Sequence, residues 1–430
     1  MLLFSRVESS RLNNIERIGL IMKKNNFKRW FVIFIVAFGQ AALFMPPYIT
    51  RTFYDIYTSA TGFTNQQVGN LMSIYGILAM IFYLIGGWLS DKFSIKKMLI
   101  FSFIGTALLT LYMSTLPSYP MMILVQVGFA VTTVLTFWGA MVKNIRILGE
   151  DNQSAAFSFN ETMIGIMGMV VSFIALGCFN YMNQSIEGFK IMLYIYGAIC
   201  CLVGIILIFV LKEAKSEDTE AIALSDIKKV LKIKQIWWCA LLILSAYTFY
   251  SGLSYLNPYL TTAFGLSIAL SSTLGIVRNY GIKLLAPGFG GILSSKLNSS
   301  TRAMGILFVA SVICIALYLI LPNTPSLIIV AVIVMLVVTF ILTAIRAVYY
   351  VPIDESRIPM NLTGTAVGII CVIGYIPDAY FFSLVGGWID KFGVTGYTYM
   401  FIYLIFFALL GILSCYKLTK MNRLTEGDVK

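Results

Sequence analysis

Apolar residues run along this chain in long blocks, and the polar stretches between them are short. A window of about 19 residues, matched to the width of a bilayer, picks out twelve apolar segments: 30–50, 67–89, 98–116, 120–145, 155–180, 190–211, 235–257, 267–293, 303–321, 326–349, 363–388 and 398–416. Most hold about 20 residues, enough to cross ~30 Å of hydrocarbon as a helix with some tilt. Connections as short as 117–120 (PSYP) and 322–326 (PNTPS) make neighbouring helices antiparallel. The one long interior break, 212–234, is charged and follows the sixth segment. The pattern therefore predicts an all-α membrane protein of twelve transmembrane helices. Its parts are an N-tail (1–29), a six-helix bundle (30–211), a linker (212–234), a second six-helix bundle (235–416) and a C-tail (417–430).

Composition agrees with that class. Hydrophobic residues make up 59% of the 430 and charged residues 12%, against roughly 25% charged in a soluble domain. The net charge of +12 raises nucleic acid or anionic lipid as partners, and its distribution decides between them. With the N-terminus inside, the N-tail holds seven of the 31 cations, the linker six, the C-tail four, and the remaining inner loops and helix ends nine. Arg51, Lys190 and Lys391 fall on the other side, and Arg278 and Lys283 lie within the eighth segment. This positive-inside bias predicts cytoplasmic termini in the cell (plasma or inner) membrane and argues against nucleic acid. The basic tail before segment 30–50 does not read as a signal peptide, because the run is long enough to span and no small-residue cleavage site follows. The seven cysteines show no metal spacing or disulfide framework. Histidine is absent, which removes the usual proton shuttle and the commonest metal ligand. No metal or cofactor is expected.

The chain also repeats itself. GGWLSDK at 86–92 returns as GGILSSK at 290–296, with Ser295 in place of Asp91. PYIT (47–50) returns as PYLT (258–261), YGI (75–77) at 280–282, and TF (136–137) at 339–340. Seven residues after each Thr of the TF pair stands a cation, Lys143 and Arg346, and eight residues later an acid, Asp151 and Asp354. Matches in one order at offsets of 203 to 211 imply two halves in the same orientation, with a solute site near the midplane between them. A third look-alike, GGWIDK at 386–391, lies at the opposite end by the topology count.

The loop Gly87-Trp88-Leu89-Ser90-Asp91-Lys92-Phe93-Ser94-Ile95-Lys96-Lys97 resembles the signature loop after the second helix of the major facilitator superfamily. The usual form is Gly-x-Leu-Ala/Ser-Asp-Arg/Lys, then a Gly and two or more cations, and Ser94 stands where that Gly is usual. The resemblance covers about the whole chain. It implies alternating-access secondary transport and a gating role for Gly87, Asp91, Lys92, Lys96 and Lys97. Asp91 would meet the N-terminus of the eleventh helix near Thr363, beside Lys143 and Arg146, and latch the outward-open state. The partial positive charge of a helix N-terminus favours such a contact. The alternative is a solvated loop acid that only sets topology. The stretch 355–401 further resembles the helix 11 region of organophosphate and sugar-phosphate antiporters, with a GTA-x-G…G-Y run and an outer D-x-FG-x-x-G loop. That branch carries a phosphate-binding Arg in helix 1 and another in helix 7. The runs AFGQAALFMPPYI and SAYTFYSGLSYLNPYL contain no Arg, so specificity does not transfer directly.

Ionisable groups inside the bilayer cost ~3 kcal/mol each and point to function. Arg278 and Lys283 belong to the second half alone, because the repeat places Ser73 and Leu78 opposite them. Arg278 reads as a substrate ligand, its fork suited to carboxylate, phosphate or sulfonate, or as a structural ion pair. Lys283 is balanced between pairing, snorkelling and binding. Arg346, near the inner face, is a further candidate for the cavity, with snorkelling or a latch role as the alternative. Glu161 and Asp378 are the acids within spans, available for proton coupling or for neutralising a membrane cation, and Pro377 predicts a kink beside Asp378. Tyr250, Tyr255 and Tyr375 lie deep enough to line a cavity or, as is commoner, to pack between helices, whereas Phe137, Trp138, Tyr349 and Tyr350 read as an interfacial belt. Arg51 reads as an outer loop residue.

The reading that follows is a monomeric secondary carrier of a small, anionic solute, driven by protons, a counter-anion or neither, with the bilayer as its other partner. A proton-coupled multidrug or metabolite efflux carrier would favour a lone membrane carboxylate over buried cations. A transporter-like sensor would need a signalling module, and the short tails and linker show none. No nucleophile–base or metal constellation suggests an enzyme.

Overall fold

The computed structural model describes residues 27–149, 152–211, 230–356 and 360–427. The side chains of Leu84, Asp91, Ser154, 360–365 and 423–427 are left out of that description. Every described element is helical. In chain order they are α1 (27–43), α2 (Thr50–Thr61), α3 (Asn65–Lys92), α4 (Ile95–Ser114), α5 (Tyr119–Gly149), α6 (Gln153–Tyr181) and α7 (Ile186–Val210). The second half holds α8 (Lys234–Phe264), α9 (268–296), α10 (Ser300–Ile320), α11 (Ile328–Val348), α12 (Val351–Glu355), α13 (Met360–Gly374), α14 (Pro377–Phe392) and α15 (Val394–Gly427). Nine helices among the described residues are long and apolar enough to cross a membrane. The other predicted segments fall on α1–α2, α3 and α9, helices diluted by residues such as Asn65, Gln66 and Arg278.

Most predicted boundaries hold, and the first does not. Segment 30–50 was expected to end at an exposed Arg51. Instead Pro46 and Pro47 sit in a turn at 44–49, where they withhold backbone donors, and the helix resumes as α2 and runs to Thr61. The chain leaves α2 through Gly62 in the left-handed region (φ 68°). Thr64 then starts α3 with a reciprocal capping box to Gln67. The repeat does the same: Gly265 (φ 72°) closes α8 and Ser267 caps α9. Helix 11 breaks between Gly374 and Pro377, as the expected kink at Pro377 foresaw, and a further correction concerns α15, which continues eleven residues beyond the expected end at 416.

The described bonds between the halves gather toward the end of the bundle where α2 turns into α3, called here the far end. The described chain ends, at 27 and 427, lie toward the other end. Along the α3–α14 contact a Cβ on Gly69 would stand 2.1 Å from the Phe382 carbonyl oxygen, so only glycine lets these backbones meet. Asp390 of α14 accepts bonds from the backbone N–H groups of Asn65 (3.0 Å) and Gln66 (2.7 Å) and from Asn65 Nδ2 (2.7 Å). Asp55 of α2 accepts from Thr261 (2.9 Å) of α8 and Ser271 (2.7 Å) of α9. Ser383 donates to Asn70 at 2.5 Å.

Candidate functional site

Two breaks in helices build the site. The interruption before α2 and the non-helical Phe53 (φ −123°, ψ 47°) fix the backbone around Arg51. The break at 375–376 places Pro377 and then Asp378 in the first turn of α14, where proline fits and the helix dipole favours an acid. Arg51 and Asp378 approach each other across the halves, Nη2 to Oδ1 at 3.8 Å. The Tyr247 hydroxyl donates to the other Asp378 oxygen at 2.6 Å.

Two cavities adjoin at Tyr48. One, about 150 Å³, is lined by Gln40, Phe44, Arg51, Tyr250, Asn279 and Lys283 among others. The other, about 610 Å³, is lined by Tyr83, Trp138, Arg346, Tyr350, Tyr375 and Asp378 among others. Volumes of several hundred Å³ suit a small molecule. A separate crevice of about 660 Å³ between α3 and α14 is lined by uncharged residues such as Asn70, Ser383 and Trp388. The charged chemistry therefore resides in the two adjoining cavities.

Each half supplies one arginine stacked on a tyrosine. The Arg51 guanidinium carbon lies 4.0 Å from the Tyr48 ring centroid, and that of Arg346 lies 3.9 Å from the Tyr250 centroid. Stacking holds a guanidinium by its face and leaves its N–H edge available to a planar anion. Lys283 adds a third cation. Arg51 Nε and Asp378 Oδ1 are buried and have no hydrogen-bond partner among the described residues, and buried polar atoms seldom go unpaired. Beside them the Tyr375 hydroxyl bonds those of Tyr350 (2.5 Å) and Tyr349 (2.8 Å).

Of the residues expected to bind solute, Lys283, Arg346, Tyr250 and Tyr375 line the cavities. Arg278 is 4% exposed and lines neither. Tyr255 is 1% exposed and gives its hydroxyl to the Phe382 carbonyl (2.7 Å), closing the α8–α14 seam. Asp378 neutralises Arg51 and not Arg278. Glu161 is exposed on α6 and forms no ion pair among the described residues. Trp138 and Tyr350 line the cavity in place of an interfacial belt, and Phe137 is fully buried against Phe44 and Phe103.

At the termini-bearing end, Lys92 lies over Trp88 at 4.2 Å, and Lys143 donates to the Ser90 carbonyl at 3.4 Å. Gly87 faces open space, Arg146 is exposed, and Lys96 and Lys97 occupy the first turn of α4. The expected Asp91 contact falls outside the described residues.

Sequence reasoning missed Arg51, Tyr48 and Tyr247. A signal existed for the first two. Tyr48 and Arg51 are three apart, the spacing that puts two side chains on one helical face. No glycine or proline stands between Arg51 and Gly62 to stop the helix.

Residues 29–377 match the family described as Major Facilitator Superfamily. The chain belongs to that superfamily. Among its relatives are two proteins of Escherichia coli (strain K12). Inner membrane protein YqcE is 30% identical over 95% of this chain and 98% of its own length. Inner membrane protein YihN is 31% identical over 91% and 96%. The solved nucleoside transporter NupG superposes with a TM-score of 0.69 at 17% identity, covering 91% of this chain and 98% of its own. A bacterial homolog to the human lysosomal transporter Spinster, inward-facing and unoccupied, gives 0.67 at 14%, covering 93% and 98%. As a superfamily member the chain is a multi-pass membrane transporter of small solutes and not an enzyme.

Proposed function

We propose that this transporter carries a small organic anion of the sugar-phosphate, sulfonate or carboxylate type by alternating access. The observation that carries this reading is the pair of tyrosine-stacked arginines, Arg51 and Arg346, one from each half, with Lys283 beside them and Asp378 as the described acid at the cavity wall. An anion would take the open edges of both guanidiniums and so bind the halves to each other. Arg51 also lies beside the break in helix 1, and an arginine in helix 1 is what the resemblance to the organophosphate branch leads one to expect. The tyrosine hydroxyls suit the polar body of such a solute.

With Arg51 inside the bundle, Lys190 and Lys391 remain as the far-end cations, which supports twelve crossings, cytoplasmic termini and residence in the cytoplasmic membrane. The far-end bonds then describe an inward-open arrangement. Asp378 supplies a coupling element. An anion that draws Arg51 away leaves this carboxylate with Tyr247 alone, ready to take a proton, whereas exchange for a second anion would restore the pair without one.

The test is thermal stabilisation of the purified protein by a panel of sugar phosphates, sulfonates and carboxylates, with Arg51→Ala and Arg346→Ala alongside wild type. Anions should stabilise wild type and lose most of that effect in both variants. Equal stabilisation of all three proteins, or stabilisation of wild type by lipophilic cations alone, sinks the reading. Uptake into proteoliposomes with and without a pH gradient separates proton coupling from exchange.

A further inference from the structure

Arg278 is a buried cation in the distorted stretch of α9, and it lines neither cavity. Its Nη2 donates to the backbone carbonyl of Arg51, in the other half of the molecule. Asn279 Nδ2 donates to the same carbonyl (2.9 Å) and to Thr52 Oγ1 (2.7 Å). Among the described residues no acid lies within ion-pairing distance of Arg278, and its Nε is unpartnered.

The local geometry explains why two donors converge on one carbonyl. Phe53 leaves the helical region directly after Thr52, within the turn that runs from the Arg51 carbonyl to Asp55, its usual helical donor. A buried carbonyl without a partner is costly, and α9 supplies the partners. It approaches so closely that a Cβ on Gly275 would stand 2.4 Å from the Thr52 carbonyl oxygen. Residues Val277–Gly281 form a π-helical turn, a widening often found at functional sites, and here it turns two consecutive side chains toward α2.

We infer that Arg278 and Asn279 are positioning residues: together they clamp the broken backbone of α2 so that the Arg51 guanidinium enters the cavity, and they do so across the boundary between the halves. This role rests on the reading of Arg51 as a ligand of the anion. The clamp spans two halves that rock against each other, so Arg51 is held in place only while α2 and α9 stay together. Separation of the far end withdraws both donors and lets the binding cation relax. The site therefore grips in one state and loosens in the other, with no second ligand required.

The clamp acts on the backbone of position 51, so it survives replacement of that side chain. In a full-length chain whose seven native cysteines are replaced by serine or alanine, Arg51→Cys can be challenged with sulfonatoethyl methanethiosulfonate and followed by intact mass. Adding Asn279→Ala, Arg278→Gln or both should change the modification rate by about fivefold or more, the scale of one lost buried hydrogen bond. Arg278→Lys, which keeps a donor, should restore part of it. A rate unchanged within about twofold in every variant overturns the clamp. So does Arg278→Gln abolishing stabilisation by an anion of the panel while leaving the rate at position 51 alone, since Arg278 would then be a ligand itself. The assay contains no solute. A changed rate with no anion in the panel bound keeps the clamp and fails the anion reading instead, so the two are separable. If Arg278→Gln does not fold, Asn279→Ala and Arg278→Lys still decide the matter.

Discussion

Three stretches of this chain spell almost the same word, and they do different work. In 86–92 and 290–296 the first glycine packs inside its own half: a Cβ on Gly86 would stand 2.7 Å from the Leu135 carbonyl oxygen, and one on Gly290 2.4 Å from that of Ala344. The second glycine of each pair, Gly87 and Gly291, has no such neighbour. In 386–391 the contact crosses to the other half. Gly386 abuts Asn65, Gly387 abuts Gln66, and Asp390 three residues on bonds the start of α3. The first glycine of such a pair is thus a device for bringing a helix against a neighbouring backbone, and only in 386–391 does a described acid add bonds to that contact. Which helix passes by decides whether it builds a half or joins two.

The comparison is most easily broken at Gly386. Gly386→Leu puts side-chain atoms where the Asn65 carbonyl oxygen already stands, 2.3 Å from the Cβ position. It should cost about 2–3 kcal/mol, as overpacking does, and open the far end. A lowered melting temperature together with a widened distance between spin labels at Ser59 and Ser267 checks this, and a normal distance refutes the bridging role. Gly86→Leu should destabilise by a similar amount, about 1–3 kcal/mol, yet leave that distance unchanged because its contact lies within one half. Asp390→Ala removes three bonds at the start of α3 and should cost about 1 kcal/mol, the usual loss at a helix cap. Asp390→Asn, which keeps an acceptor, should cost less, and transport rate against solute affinity would report whether the far end opens too readily. Gly87→Ala should be the mildest change. Nothing lies within 4 Å of its Cβ position, and alanine in a helix gains up to about 1 kcal/mol over glycine, so melting should be unchanged or slightly raised.

Much of the fold was legible because the bilayer imposes one rule on every segment: long apolar runs must be helices, and their ends must be polar. The repeat was legible for a related reason. Equivalent turns need equivalent residues, as Gly62 with Thr64 and Gly265 with Ser267 show. The site was only half legible. Arg346, Lys283, Tyr250 and Tyr375 stood out as polar groups at membrane depth and line the cavities. Arg51 was hidden because Pro46 and Pro47 look like the end of a helix, when they mark a turn within one. Arg278 looked like the ligand because a buried arginine is conspicuous in sequence, yet its partner is a backbone carbonyl, which no side-chain pattern reveals.

The sequence by itself determined the class, the helices and the presence of cations among them. These follow from local composition and period, properties that each segment carries alone. Tertiary structure decided which cations line the cavities, which one bonds a backbone carbonyl instead, and which of three near-identical words joins the halves. Those outcomes depend on residues hundreds of positions apart arriving within a few ångströms of each other, and distance along the chain does not encode that meeting.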